Sequence, residues 1–253
     1  MSDAQVEIRE VQDPDDPALA AFGRLQRKVY FEPDALIPGH YFGALLRSRS
    51  SARTNFIVVA ERAGEVLGGT IFHYLGSAGT GFSSFMGVAR SARGQGIARR
   101  LHERRFVVLD LAAGSTVPGV FIDVVNPNRL TERELERERA VGSDPLVRRR
   151  IFERLGFRQV AIRYEQPVGG PNGGPVTNLD LLYCPRLPSP VVPTQLVLAT
   201  MRAYWSGWLG DAADIHVAEL ERRAEGCDEL ALLSPVPEPV EPREAARGPD
   251  SPK

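Results

Sequence analysis

The sequence predicts an α+β domain: a mixed, mostly antiparallel twisted sheet flanked by helices, with a helical C-terminal extension and a disordered tail. Three observations carry this. Three apolar strand runs succeed one another through short turns between residues 55 and 88, which makes an antiparallel meander. A strand, a glycine-bearing turn and a helix then follow directly over 85–101, FMGVARSARGQGIARRL. After Pro193 come two helical stretches, then a segment of Pro, Glu, Arg and Ala without apolar period.

In order, Val6–Val11 alternates apolar and charged residues and forms a half-buried strand. The Asp-Pro-Asp-Asp-Pro segment at 13–17 breaks the chain and supplies helix caps. Leu19, Phe22, Leu25, Val29 and Tyr30 recur at helical spacing over 18–31, and a second helix spans 35–47, interrupted by Pro38 and Gly39. Asn55–Ala60 is a strongly apolar strand, Val66–Tyr74 returns from it through a turn, and 82–88 is the third strand. The helix from Gly94 turns Ile97, Leu101, Val108, Leu109 and Ala112 inward and ends near Gly114. Val120–Val125 lies parallel to 82–88 through a right-handed crossover. The charged run 131–140 forms a solvated helix, and Asp144-Pro145 opens a helix that Gly156 stops. Strands at 159–164 and 179–184 complete the sheet; helices at 194–209 and 212–224 form the extension. The expected division is 1–186 for the domain, 187–230 for the extension and 231–253 for the tail.

At 43% hydrophobic and 25% charged over 253 residues, the chain has the composition of a soluble globular protein. A net charge of −1 gives no global electrostatic case for nucleic acid or a membrane surface as partner. Cys184 and Cys227 make neither a disulfide framework nor a metal set, and the histidines lack ligand spacing, so no metal is expected. The amino-terminal residues lack the apolar run of a signal peptide, and no stretch is apolar enough to cross a bilayer. A cytoplasmic location is expected.

Chemistry concentrates at Arg93-Gly94-Gln95-Gly96-Ile97-Ala98. At a helix start the backbone N–H groups have no internal partner and the helix dipole adds partial positive charge, so the turn suits a phosphate or pyrophosphate. Gly94 and Gly96, without Cβ, let an anion approach the backbone. The spacing is not GxGxxG and the preceding strands are antiparallel, which disfavours a dinucleotide fold. No Gly-Lys-Ser/Thr follows, which excludes a Walker loop. The bland reading is a turn that only rounds a corner.

Two signatures together resemble the GNAT superfamily of acyl-CoA-dependent N-acetyltransferases. The first is the turn itself, with Arg93, Gly96 and Ala98 at the family's spacing. The second is Phe152-Glu153-Arg154-Leu155-Gly156-Phe157, similar to the family's aromatic-x-x-Leu-Gly-Phe helix ending. With the element order, the resemblance covers about 6–184. It implies acetyl-CoA as cofactor, its pyrophosphate on the amides of Gly94, Gln95, Gly96, Ile97 and Ala98, with Arg93 and Arg99 adding charge. It implies main-chain pairing of Met86, Gly87 and Val88 with the pantetheine arm, and Asn126 and Phe152 beside the cofactor. The implied reaction is acetyl transfer to the amine of a small molecule or a protein, directly in a ternary complex.

The usual tyrosine acid of the family stands here as Phe152, which has no proton to give, and the usual early-strand carboxylate is replaced by Phe82, Ser83 and Ser84. Asp123 and Tyr164 are the candidate catalytic substitutes, unless Asp123 faces solvent and Tyr164 only packs. Glu32, Asp34, His40 and Tyr41 fall where the family builds its acceptor pocket, with His73 on a central strand as a further candidate. The alternatives are solvated loop residues and a core histidine. Two rival functions stay open: a CoA-binding module without transferase activity, and an interaction protein. Tyr204, Trp205 and Trp208 pack either on the domain or on a second subunit, as in a homodimer.

Overall fold

The computed structural model describes residues 5–32, 36–48, 50, 52–170 and 173–236. Strand β1 (Glu7–Val11) leads into helix α1 (Pro17–Val29), where the Asp16 side chain accepts from the Ala18 amide and Pro17 takes the first helical position. A 3-10 turn at Gly39–Tyr41 and the short helix α2 (Phe42–Arg47) stand where one interrupted helix was expected over 35–47. The meander is β2 (Arg53–Arg62), β3 (Glu65–Leu75) and β4 (Thr80–Val88). Helix α3 (Ile97–Ala113) crosses over to β5 (Gly119–Val125), and α4 (Glu132–Ala140) and α5 (Pro145–Arg154) follow. Then come β6 (Arg158–Val160), β7 (Leu179–Pro185), β8 (Val191–Pro193), α6 (Thr194–Leu209), α7 (Ala213–Arg223) and β9 (Glu229–Leu233).

The strands form one mixed sheet in the order β1-β2-β3-β4-β5-β7-β6-β9-β8. Its neighbours pair antiparallel except β4 and β5, which run parallel. On one face α1 and α2 cover Ile57, Val59, Ile71 and Phe85, while α6 and α7 cover Phe82, Phe121 and Tyr183. On the other face α3 and α5 cover Val58, Phe72, Val120 and Ile122. Alternation along β5 therefore sends Ile122 and Val124 to the α3 face, and Phe121, Asp123 and Val125 to the α6 face.

Several expectations are corrected. The strand expected at 159–164 ends at Val160, so Tyr164 lies beyond it. The strand at 179–184 is not the last: β8 and β9 extend the sheet, and residues 231–233, expected in a disordered tail, end β9. Residues 237–253 lie outside the described residues. Ala112 is exposed, and His102 and Arg105 take inward positions on α3 instead. Helix α4 is not solvated throughout, since Glu138 is fully buried against Arg148.

The extension packs on the domain. Tyr204 and Trp205 are 4% and 1% exposed in the same core as Phe82 and Phe121. The Arg149 guanidinium, fully buried on α5, donates to Asp180 on β7, to the Val125 carbonyl at 3.2 Å and to the Pro235 carbonyl, binding the C-terminal segment to the sheet. Among the described residues no helix is long and apolar enough to cross a membrane.

Candidate active site

Two irregularities in β4 open the site. Its pairing with β5 runs from Gly81 opposite Val120 to Ser83 opposite Ile122 and stops there. Its pairing with β3 shifts, Ile71 opposing Phe85 while Phe72 opposes Ser83, so Ser84 is the extra residue of a β-bulge. The two strands part at Ser84 and Asp123. A cavity of about 1260 Å³ passes through the gap. It reaches from Arg93, Gly94, Gly96, Ile97 and Ala98, past Met86, Gly87 and Val88, to Tyr30, Glu32, Tyr204 and Trp208.

At one end stands the glycine turn. Gly94 and Gly96 have φ of +78° and +73°, a left-handed backbone that side-chain-bearing residues rarely adopt, and nothing within 4 Å would meet a Cβ there. The amides of Gly94 to Ala98 donate to no group among the described residues. Arg90 Nε donates to the Val141 carbonyl at 2.8 Å and Arg93 to the Gly142 carbonyl at 2.6 Å, which pins the turn to the α4–α5 loop. Unpartnered amides, open space and a helix start are the donor set a diphosphate requires. The Met86–Val88 edge, unpaired on its β5 side, offers main-chain groups to an extended amide-bearing arm.

On the α6 side a row of polar side chains crosses four strands: Asn55 on β2, His73 on β3, Ser84 on β4 and Asp123 on β5. Asn55 Nδ2 donates to the carbonyls of Leu45 and Ser48 at 3.0 and 2.8 Å, so its Oδ1 accepts. His73 Nδ1, 2.8 Å from that oxygen, must therefore carry the imidazole proton. Nε2 is left as an acceptor, for the Ser84 hydroxyl at 2.7 Å and for Arg53 at 3.0 Å. The Ser84 and Tyr204 hydroxyls lie 3.1 Å apart, and either can donate to the other. These donor assignments follow from the chemistry of the partners. Burial, then Arg53, hold His73 well below the ordinary histidine range, in keeping with a neutral ring.

Tyr204 is placed by stacking on Phe82, centroids 3.6 Å apart, and by an edge contact with Trp208 at 4.6 Å. The Tyr164 hydroxyl donates to Asp123 Oδ2 at 3.2 Å. Burial pushes the Asp123 carboxyl up to about 6, against the downward pull of that hydrogen bond. Burial foremost, then the Asp123 charge, raises Tyr164 and Tyr204 above the usual tyrosine range, so both phenols keep their protons.

The structure thus brings Asp123 and Tyr164 into contact, and lines the cavity with Glu32, Phe152, Met86, Gly87, Val88, Arg93, Gly94, Gly96, Ile97 and Ala98. Other expected site residues fall elsewhere. His40 and Tyr41 meet at the surface with tilted rings, centroids 4.3 Å apart and Tyr41 55% exposed, and neither lines the cavity. Asn126 turns from the cavity to donate to Asp180 at 2.9 Å and to accept from the Asn128 amide. The Gln95 side chain bonds Arg62 and the Ser91 carbonyl while its amide stays in the turn, and Arg99 is exposed on the outer side of α3. His73 is buried behind Ser84 and reaches the cavity only through it. Asp34 lies outside the described residues. Sequence reasoning passed over Ser84, Tyr30 and Arg53, and took Tyr204 for packing.

The family model described as Acetyltransferase (GNAT) family matches residues 17–133, from the start of α1 into α4. The matched segment, a little under half of the chain, is similar to that family. The match takes in the glycine turn and the parted strands, and leaves Phe152, Tyr164 and Tyr204 outside. Among solved structures, a protein described as a probable acetyltransferase from Staphylococcus epidermidis shares the fold, with a TM-score of 0.50 and 10% identity over 72% of this chain and 100% of its own. Ard1 from Thermoplasma volcanium aligns at TM-score 0.48 and 16% identity, over 72% of this chain and 99% of its own. An aminoglycoside 6'-N-acetyltransferase complexed with coenzyme A aligns at 0.47 and 15%, over 73% and 99%. No curated protein matches the chain.

Proposed function

We propose that this chain is an N-acetyltransferase that uses acetyl-CoA to acetylate an amine, on a small molecule or a protein, by direct transfer. One observation supports it above the others: a single cavity joins the bare amides of the GNAT turn, on one side of the sheet, to Asp123 and Tyr204 on the other. Bound there, acetyl-CoA supplies the activated acyl group as a thioester.

The remaining work belongs to the chain. The amides of Gly94 to Ala98 hold the diphosphate and the Met86–Val88 edge aligns the arm. Asp123, ionised above about pH 6, takes the proton that the acceptor amine sheds. Tyr164 orients that carboxylate through its hydroxyl. Tyr204 Oη carries the proton to be delivered to the departing thiolate, the task for which Phe152 has no hydroxyl. His73, held by Asn55, fixes Ser84, and Ser84 fixes Tyr204.

Calorimetry with CoA and thiol release across an amine panel test this. Micromolar CoA binding and amine-dependent thiol release are expected; absence of binding below millimolar concentrations refutes it. The lack of a hydroxyl at Phe152 favours a second reading, a CoA-binding module without transfer activity, which predicts binding and no thiol release with any amine.

A further inference from the structure

Charged side chains lining the acceptor half of the cavity are mostly satisfied by opposite charges within the fold. Glu32 pairs with Arg137 at 3.2 Å and Arg129 with Asp180 at 3.0 Å. Arg53 is different. Among the described residues no carboxylate lies within ion-pair distance of it, and its partners are neutral: Asn55 Oδ1 at 3.0 Å, His73 Nε2 at 3.0 Å and the Tyr204 carbonyl at 3.4 Å. A guanidinium has five N–H donors in a fixed fork, so two remain for a ligand. Its charge is also poorly hydrated where it sits over the Tyr204 ring, 5.4 Å from the centroid, and burial pulls it below the usual arginine range. A desolvated cation bordering an open cavity is costly until an anion arrives.

The other end of the same polar row is Asp123. Three strand spacings, about 14 Å, separate β2 from β5, and the Arg53 side chain covers the first of them by reaching over β3 to His73, which leaves about 9 Å. Both residues line the cavity, and about two strand spacings between them are room for a small molecule. A plain ammonium ion entering this space meets the repulsion of Arg53; one that also carries an anion does not.

We infer that the acceptor is an amine bearing a carboxylate, of amino-acid type, with Arg53 anchoring the carboxylate while the amine faces Asp123. A carboxylate matches the free fork in shape as well as charge. The inference rests on the acetyl-transfer reading for the direction of the amine, and on Arg53 alone for the anion.

The test is calorimetry on the full chain with CoA present, using matched pairs: phenylalanine with phenethylamine, lysine with cadaverine, leucine with isoamylamine. The expected result is that in at least one pair the member with the α-carboxylate binds tighter by about tenfold or more, the size of one charged hydrogen-bonded contact. Arg53→Gln should erase that preference, Arg53→Lys should keep part of it, and both should bind CoA as the parent does. Equal binding within every pair, no binding by any member, or a preference that survives Arg53→Gln overturns the inference. Failure of CoA to bind in the same calorimeter overturns the acetyltransferase reading instead, and the paired comparison, run without CoA, still decides the role of Arg53.

Discussion

The hydroxyls of Tyr204 on α6 and Ser84 on the β4 bulge meet at 3.1 Å, tying a helix beyond the GNAT match to the strand that parts from β5. Burial keeps the Tyr204 phenol protonated where it borders the cavity, and it is the proton source of the proposed transfer. Tyr204→Phe should therefore lower kcat by about 100-fold, the usual scale of a lost proton donor, with CoA affinity unchanged. Steady-state kinetics beside CoA calorimetry checks this. If Phe152→Tyr raises kcat in the parent chain by that same factor, the proton comes from the α5 position and Tyr204 is only structural.

Under the proposed mechanism, Asp123 should link activity and stability to pH in opposite senses. Its folded-state carboxyl sits near 6, above the 3.8 of an unperturbed aspartate, so folding favours the protonated form. The stability this contributes is complete below about pH 4 and is lost as pH rises through 6. Activity should do the reverse, kcat/KM climbing through an apparent pKa near 6. Asp123→Asn should abolish that limb and raise Tm at pH 8, the gain vanishing towards pH 4.

Gly96→Val tests the turn. The +73° backbone costs a β-branched residue about 1–2 kcal/mol, and the new side chain fills the space in front of the amides. CoA binding should be lost in calorimetry while circular dichroism stays that of the parent, because no protein atom lies within 4 Å of the new Cβ. Gly94→Ala, strained but smaller, should weaken binding without abolishing it.

Arg149→Met leaves Asp180 buried with Arg129 and Asn126 as its partners and cuts the tie to Pro235. Breaking a buried pair from one side costs about 3 kcal/mol or more. Denaturant unfolding should show that loss, with the slope unchanged and CoA affinity retained by the fraction that remains folded.

Much of the fold was legible because the signals are local. Asp16 and Asp144 cap the helices that they precede, the meander strands are bounded by short turns, and Gly94 and Gly96 announce a left-handed turn by their lack of Cβ. Elements held by few local constraints were misread. The strand at 158–160 lasts three residues and β9 pairs with β6 across more than sixty positions of chain, so neither end shows in periodicity. The family resemblance sets His40 and Tyr41 at the acceptor pocket, and a 3-10 turn holds them at the surface instead.

The sequence by itself determined the glycine turn as a candidate anion site, the order of elements through β7 and the two residues Asp123 and Tyr164 as candidates, readable from spacing, side-chain chemistry and family resemblance. Only the tertiary structure decided what surrounds them. It set the Tyr164 hydroxyl on Asp123, brought Tyr204 from α6 onto Ser84, and left Arg53 facing the cavity with no carboxylate among the described residues in ion-pair distance. The reason is physical. Such contacts join residues 41, 120 and 151 positions apart, and their geometry depends on where β4 bulges and how α6 packs on Phe82, neither of which any short window of sequence encodes.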